Sequence, residues 1–139
     1  MLSKQLKSTF RVILLLTTLL MLPLMVNAAT ITGKLNGFEC AVAGEVCPID
    51  KLDPHITLES DFVLQKPDGT FYLLPNLPRD IKVRYALEEV QVSGDLNEKY
   101  NSIKVEEFSV KRDGSYRAVW SQAMQREQVE QLYGPSPSH

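Results

Sequence analysis

Past residue 28 the chain is written mostly in twos. Apolar and polar side chains alternate over short runs bounded by turn-forming residues, the pattern of strands with one buried face. Residues 30–35 open the series, β-rich, with Gly33 where a bend or bulge would sit. Residues 61–66 and 70–74 flank Pro67-Asp68-Gly69, a turn whose proline presets one dihedral and whose glycine accepts a positive φ, so a hairpin is predicted there. Val90 and Val92 alternate with Gln91 and Ser93 before Gly94, giving another half-buried strand. Ile103 and Val105 alternate, the parity slips by one at Glu106-Glu107, and Phe108 and Val110 resume it, as a β-bulge in one long curving strand would require. Asp113-Gly114 turns the chain, and Tyr116, Ala118 and Trp120 follow at period two as a last strand with one apolar face.

Three stretches break the pattern. Residues 36–57, punctuated by Gly37, Gly44, Pro48 and Pro54, hold no period and are predicted to be a long loop. Residues 79–87 suit a short helix with Ile81, Tyr85, Leu77 and Ala86 inward, although Val83 and Tyr85 fit a strand equally well. Ser121 can cap a helix running to about Leu132, with Ala123, Met124, Val129 and Leu132 as a sparse apolar stripe and Gly134-Pro135 as its end. Residues 134–139 are expected to form a disordered tail.

The start of the chain obeys a different rule. Lys4, Lys7 and Arg11 precede an apolar run over residues 12–26, broken only by Thr17, Thr18 and Pro23 and followed by Asn27-Ala28-Ala29. A basic start, a short apolar run and a small-residue exit make a secretory signal peptide, predicted over residues 1–28. The run falls short of the roughly 20 apolar residues that span a bilayer. The expectation is an exported chain, periplasmic or secreted, with no membrane span after cleavage and a single domain over residues 29–133. Removing Lys4, Lys7 and Arg11 from 15 basic and 17 acidic residues leaves 12 against 17, a net charge of −5. That sign argues against a nucleic-acid partner, which needs a basic surface.

A strand, a long loop, a hairpin, a connection with a helix and two more strands follow the order of a small OB-like Greek-key barrel, here with an added C-terminal strand and helix; a β-sandwich or open meander competes. The chain resembles a group of small exported bacterial OB-like domains through Thr32-Gly33, Cys40, Phe62-Val63-Leu64, Asp68-Gly69, Tyr72-Leu73-Leu74, Val90-Gln91-Val92-Ser93-Gly94 and Ile103-Lys104-Val105. These short motifs span residues 30–110, and the C-terminal strand and helix depart from the pattern. The resemblance implies a fold and a compartment but no activity.

Chemistry is sparse. The sequence holds no Gly-x-Ser-x-Gly, phosphate loop, His-Glu-x-x-His or Cys-x-x-Cys, and the acid pairs Glu88-Glu89 and Glu106-Glu107 read as solvated charge. No catalytic residue is assigned. Side chains able to react or ligate concentrate in one place: Cys40, Cys47, Asp50, Asp53 and His55. Two cysteines in a small exported domain read first as a disulfide, worth on the order of 2–3 kcal/mol in a loop this short. The alternative is a copper or zinc site, or a thiol-redox pair, built from Cys40, Cys47 and His55. Phe71, Tyr72, Tyr85 and Tyr100 are candidates for a stacking surface of the kind OB barrels use. The leading expectation is a non-enzymatic binding or accessory domain without a cofactor, whose partner is an envelope protein, a peptide or a glycan.

Overall fold

A computed structural model describes residues 28–48, 50 and 53–134. The predicted signal segment, except its last residue Ala28, and the residues after Gly134 lie outside this range. Six strands form one antiparallel sheet in the order β3-β2-β1-β4-β5-β6: β1 (Ala28–Gly37), β2 (Phe62–Gln65), β3 (Phe71–Tyr72), β4 (Glu89–Asn97), β5 (Ser102–Arg112) and β6 (Ser115–Ser121). Three helices punctuate it: α1 (Phe38–Val42), α2 (Arg79–Arg84) and α3 (Gln122–Tyr133). The fold is thus mostly β, with a C-terminal helix. Just past β3, Leu73 forms a parallel bridge to Ser102 at the start of β5, through Leu73 N–H to Asn101 O and Ile103 N–H to Leu73 O, both 2.8 Å.

Register explains the core. Ile31 faces Val92 and Gly33 faces Val90 across β1 and β4; Val90 and Val92 face Val110 and Phe108 across β4 and β5. Period-two side chains on these strands therefore fall on one surface, joined by Leu35, Phe62 and Leu64 from β1 and β2 and by Leu74, Leu77 and Ala86 from the connection. Each fully buried aliphatic or aromatic side chain contributes roughly 1.5–3 kcal/mol. The parity slip is a bulge: Ser93 pairs with Glu107 and Gly94 with Val105, so Glu106 is the extra residue. A Cβ at Gly94 would collide with the Lys104 carbonyl oxygen, so the strand opposite the bulge needs glycine for close approach. Asp113 (φ 50°) and Gly114 (φ 81°) make a two-residue turn with both φ values positive, which suits the twist of the strands it joins.

Four expectations change. The stretch over residues 36–57 is not devoid of structure: α1 and a 3-10 turn over Pro54–Leu58 occupy it, each too short to leave a period. Tyr116 and Ala118 do not share a face with Trp120, because a second register shift leaves Val119 unpaired between Ala118 (opposite Ser109) and Trp120 (opposite Phe108). Trp120 is buried, while Tyr116 lies on the outer face and donates to Glu89 Oε1 at 2.9 Å. Glu88 is not solvated charge: its side chain is 13% exposed and pairs with Arg112, whereas Glu89 holds Lys111 at 2.8 Å. The stripe on α3 is not a core face, since no residue of that helix is buried and Met124, Val129 and Leu132 are exposed. Its N-terminus is as expected, with Ser121 Oγ accepting from Met124 N–H at 3.2 Å.

Gly94→Ala is expected to cost more than Gly114→Ala in chemical denaturation. The first forces backbone apart, at about 1–3 kcal/mol or more; the second meets nothing within 4 Å and carries only the left-handed penalty, about 1 kcal/mol.

Candidate functional site

The site begins with one asparagine at the end of β1. Asn36 is fully buried, and its amide is satisfied on both ends: Nδ2 donates to Glu45 O and to Gln65 Oε1, each at 2.7 Å, and Oδ1 accepts from Cys47 N–H at 3.0 Å. These bonds fold residues 38–48 over the outer face of β1 and β2. That is why β2 is buried on both sides, with Phe62 and Leu64 toward the core and Val63 and Gln65 under the loop. Within the loop Glu45 N–H donates to Cys40 O at 2.9 Å, Gly44 takes φ 79°, and the chain returns so that Cys47 bonds Cys40. The disulfide closes with Cα atoms 5.3 Å apart, inside the usual range. Cys47 is 5% exposed and Cys40 only half-buried.

Glu59 completes the cluster from the far side of the loop. Its Oε1 lies 3.7 Å from Cys40 Sγ and 3.5 Å from Cys47 Sγ. The carboxyl occupies the space that a side chain at Gly37 would fill: a Cβ there would be 2.7 Å from Glu59 Oε2 and 2.8 Å from Cys47 Sγ. Oε2 is buried and has no hydrogen-bond partner among the described residues.

Helix α2 holds the segment that delivers Glu59. The Arg79 guanidinium donates to the carbonyls of Thr57 (2.9 Å), Glu59 (2.7 Å) and Ser60 (3.1 Å), and its carbon sits 5.7 Å from the Phe62 ring centroid. Lys82, its side chain 4% exposed, reaches both oxygens of Asp61 at 2.8 and 3.1 Å, and Asp61 Oδ1 also accepts from Phe62 N–H at 2.8 Å. A buried ammonium needs such a partner, because desolvation is otherwise unrepaid.

Of the residues singled out from the sequence, the structure unites Cys40 and Cys47 as a disulfide. His55 lies in the 3-10 turn over Pro54–Leu58, and its side chain falls outside what the structure describes. Asp53 N–H donates to Asp50 O at 2.9 Å, which shapes the approach to that turn. Among the four aromatics, Phe71 packs edge-on against Phe38 with centroids 6.0 Å apart, Tyr72 packs on the core, Tyr85 packs on Phe108, and Tyr100 is 62% exposed beneath the Lys99 ammonium. Glu59, Asn36 and the Arg79–Lys82 clamp escaped the sequence reading. Glu59 lies just past the dense stretch of chemical residues, and no spacing rule ties it to the cysteines.

A surface groove of about 500 Å³ runs between the disulfide loop, at Gly44 and Val46, and the β2–β3 turn, at Lys66 and Asp68, with Lys34 and Glu89 beneath. Asp68 accepts from Lys66 Nζ and from Thr70 N–H, both at 2.9 Å, and these bonds pull its carboxyl down to about 2. Lys66 is raised in return, chiefly by the same bond. Glu89 is held below the ordinary range by Lys111 and then Tyr116. The Tyr116 phenol is raised, first by burial and then by Glu89. No protein-family model, curated protein or solved structure matches this chain.

Two outcomes follow from this geometry. Asn36→Ala leaves Cys47 N–H and Gln65 without their partner and should lower stability by about 2–3 kcal/mol in denaturant melts. Asp68, depressed in the folded state, contributes stability that is present above the usual carboxylate range and is lost as pH falls through about 2. A carboxyl-carbon NMR titration should therefore find it ionised at pH values where other carboxylates are protonated, and Lys66→Met should move it back up.

Proposed function

We propose that this chain is an exported, non-enzymatic OB-like binding domain that takes its ligand in the groove walled by the disulfide loop. The observation that carries the reading is the Cys40–Cys47 bond together with Asn36, which fix Val46 and Gly44 as one side of that groove. A wall ordered before binding spares the entropy of ordering it on contact. Lys34 and Lys66 with Asp68 and Glu89 give a lining of mixed charge, which suits a peptide segment of an envelope protein or a polar glycan and does not suit a polyanion.

The OB-like part rests on connectivity. β1 pairs with both β2 and β4, α2 falls between β3 and β4, and the Leu73–Ser102 bridge lies where a barrel of this order would close. Under this reading the groove lies beside the loop between the first two strands, one of the places where OB domains hold ligands. Export rests on the basic start, apolar run and small-residue exit of residues 1–28, and on a cysteine pair that suits an oxidising compartment.

The exported protein should begin at Ala29 by N-terminal sequencing and have the intact mass of an oxidised cysteine pair. A chain that still begins at Met1, or a pair found reduced, overturns the reading. Cys40→Ser and Cys47→Ser should lower stability by similar amounts, on the order of 2–3 kcal/mol. In NMR titrations with peptides and glycan fragments, shifts should gather at Lys34, Val46 and Lys66 and disappear in Lys66→Glu; shifts centred elsewhere remove the groove as the site.

A further inference from the structure

The disulfide has a neighbour that a simple staple does not need. Glu59 brings a carboxylate to within 3.5 and 3.7 Å of the two sulfurs, and its second oxygen is buried without a partner among the described residues. All three ligating atoms lie within 4.8 Å of one another. We propose that reduction of the Cys40–Cys47 bond converts this cluster into a zinc(II) site with Cys40 Sγ, Cys47 Sγ and Glu59 Oε1 as protein ligands.

Distances support the oxygen first. In a tetrahedral site with Zn–S of about 2.3 Å and Zn–O of about 2.0 Å, neighbouring sulfur and oxygen ligands stand about 3.5 Å apart. Glu59 Oε1 already meets both sulfurs at that separation. Only the sulfurs must part, to about 3.7 Å, once the bond between them is broken. The half-buried Cys40 gives a reductant its point of entry, and Gly37 leaves room for the carboxylate to adjust.

The chemistry balances with a dithiol reductant. The protein disulfide takes two electrons and two protons to become two thiols, and the dithiol becomes a disulfide. Zinc(II) then displaces both thiol protons to solvent and is held by two thiolates and a carboxylate, with a fourth position open to water. Two soft donors and one hard donor suit zinc better than calcium or magnesium, which prefer oxygen alone, and better than copper(I), which prefers sulfur. The dication also neutralises the two thiolate charges and the carboxylate that the bound site brings to close range. Glu59, not His55, is the third ligand, and the inference stands whether or not the groove binds a peptide or glycan.

The test uses the mature protein, oxidised and reduced, with zinc(II) titrated against a chromophoric chelator and cobalt(II) as a spectroscopic stand-in. Reduced wild type should bind one equivalent and give a thiolate-to-cobalt charge-transfer band, while the oxidised protein gives neither. Glu59→Gln should weaken binding by at least about tenfold, and His55→Ala should leave it unchanged. Failure of the reduced wild type to bind, equal binding by Glu59→Gln, or loss in His55→Ala each overturns the assignment. If circular dichroism shows Glu59→Gln unfolded, zinc-edge X-ray absorption of the reduced wild type decides: two sulfurs with oxygen support the site, and imidazole scattering or fewer sulfurs overturns it.

Discussion

One buried amide organises the functional end of this molecule. Asn36 has no exposure, and its three bonds reach Glu45, Cys47 and Gln65, so a single side chain fixes the start of the loop's return, the position of the second cysteine and the end of β2. In surroundings this dry such bonds are strong, and losing any of them is correspondingly costly. The loop over residues 38–48 buries little beyond Ala41 and Cys47, so it cannot hold its shape by packing alone. It is held by polar bonds from below and by a covalent bond across its neck.

A second arm converges on the same point from α2. Arg79 gathers three backbone carbonyls, those of Thr57, Glu59 and Ser60, and Lys82 fixes Asp61 just beyond. The result is that the backbone carrying Glu59 is held in place and its carboxylate is set against the disulfide. Sheet and connection thus meet at the cysteines: β1 supplies Asn36 and Gly37, and the bend between the 3-10 turn and β2 supplies Glu59.

What the sequence made legible was local. Pro67-Asp68-Gly69, the slip at Glu106, the Asp113-Gly114 turn and the Ser121 cap each express their structure within a few residues, and the structure has all of them. What escaped was non-local. Asn36 reaches Gln65 across 29 positions, and Lys82 reaches Asp61 across 21. Neither pairing has a periodicity to betray it. The reading of β6 failed for a related reason: Tyr116, Ala118 and Trp120 keep perfect alternation, but an unpaired Val119 rotates the end of the strand, and nothing in that alternation marks the insertion. On α3 the apolar residues are real, yet too few and too widely spaced to bury a face. The cysteine pair was legible because only two cysteines exist; their carboxylate neighbour was not, because only the folded loop brings it near.

The central position of β1 has a consequence for the order in which the sheet is assembled. Strands β4, β5 and β6 are consecutive and joined by short turns, so they can pair through small loop closures. β1 comes earliest among the described strands, yet its longest partner is β4, with Ala28 opposite Asp95 and Lys34 opposite Glu89. It must wait for more than half of the described chain to be present before its second edge is covered. Long-range pairing of this kind slows folding, because the loop entropy is spent before the contacts repay it. The meander is therefore the natural template for residues 28–34 of β1, while the end of β1 that carries Asn36 pairs with β2 and sets the cysteine loop through that separate, shorter-range contact.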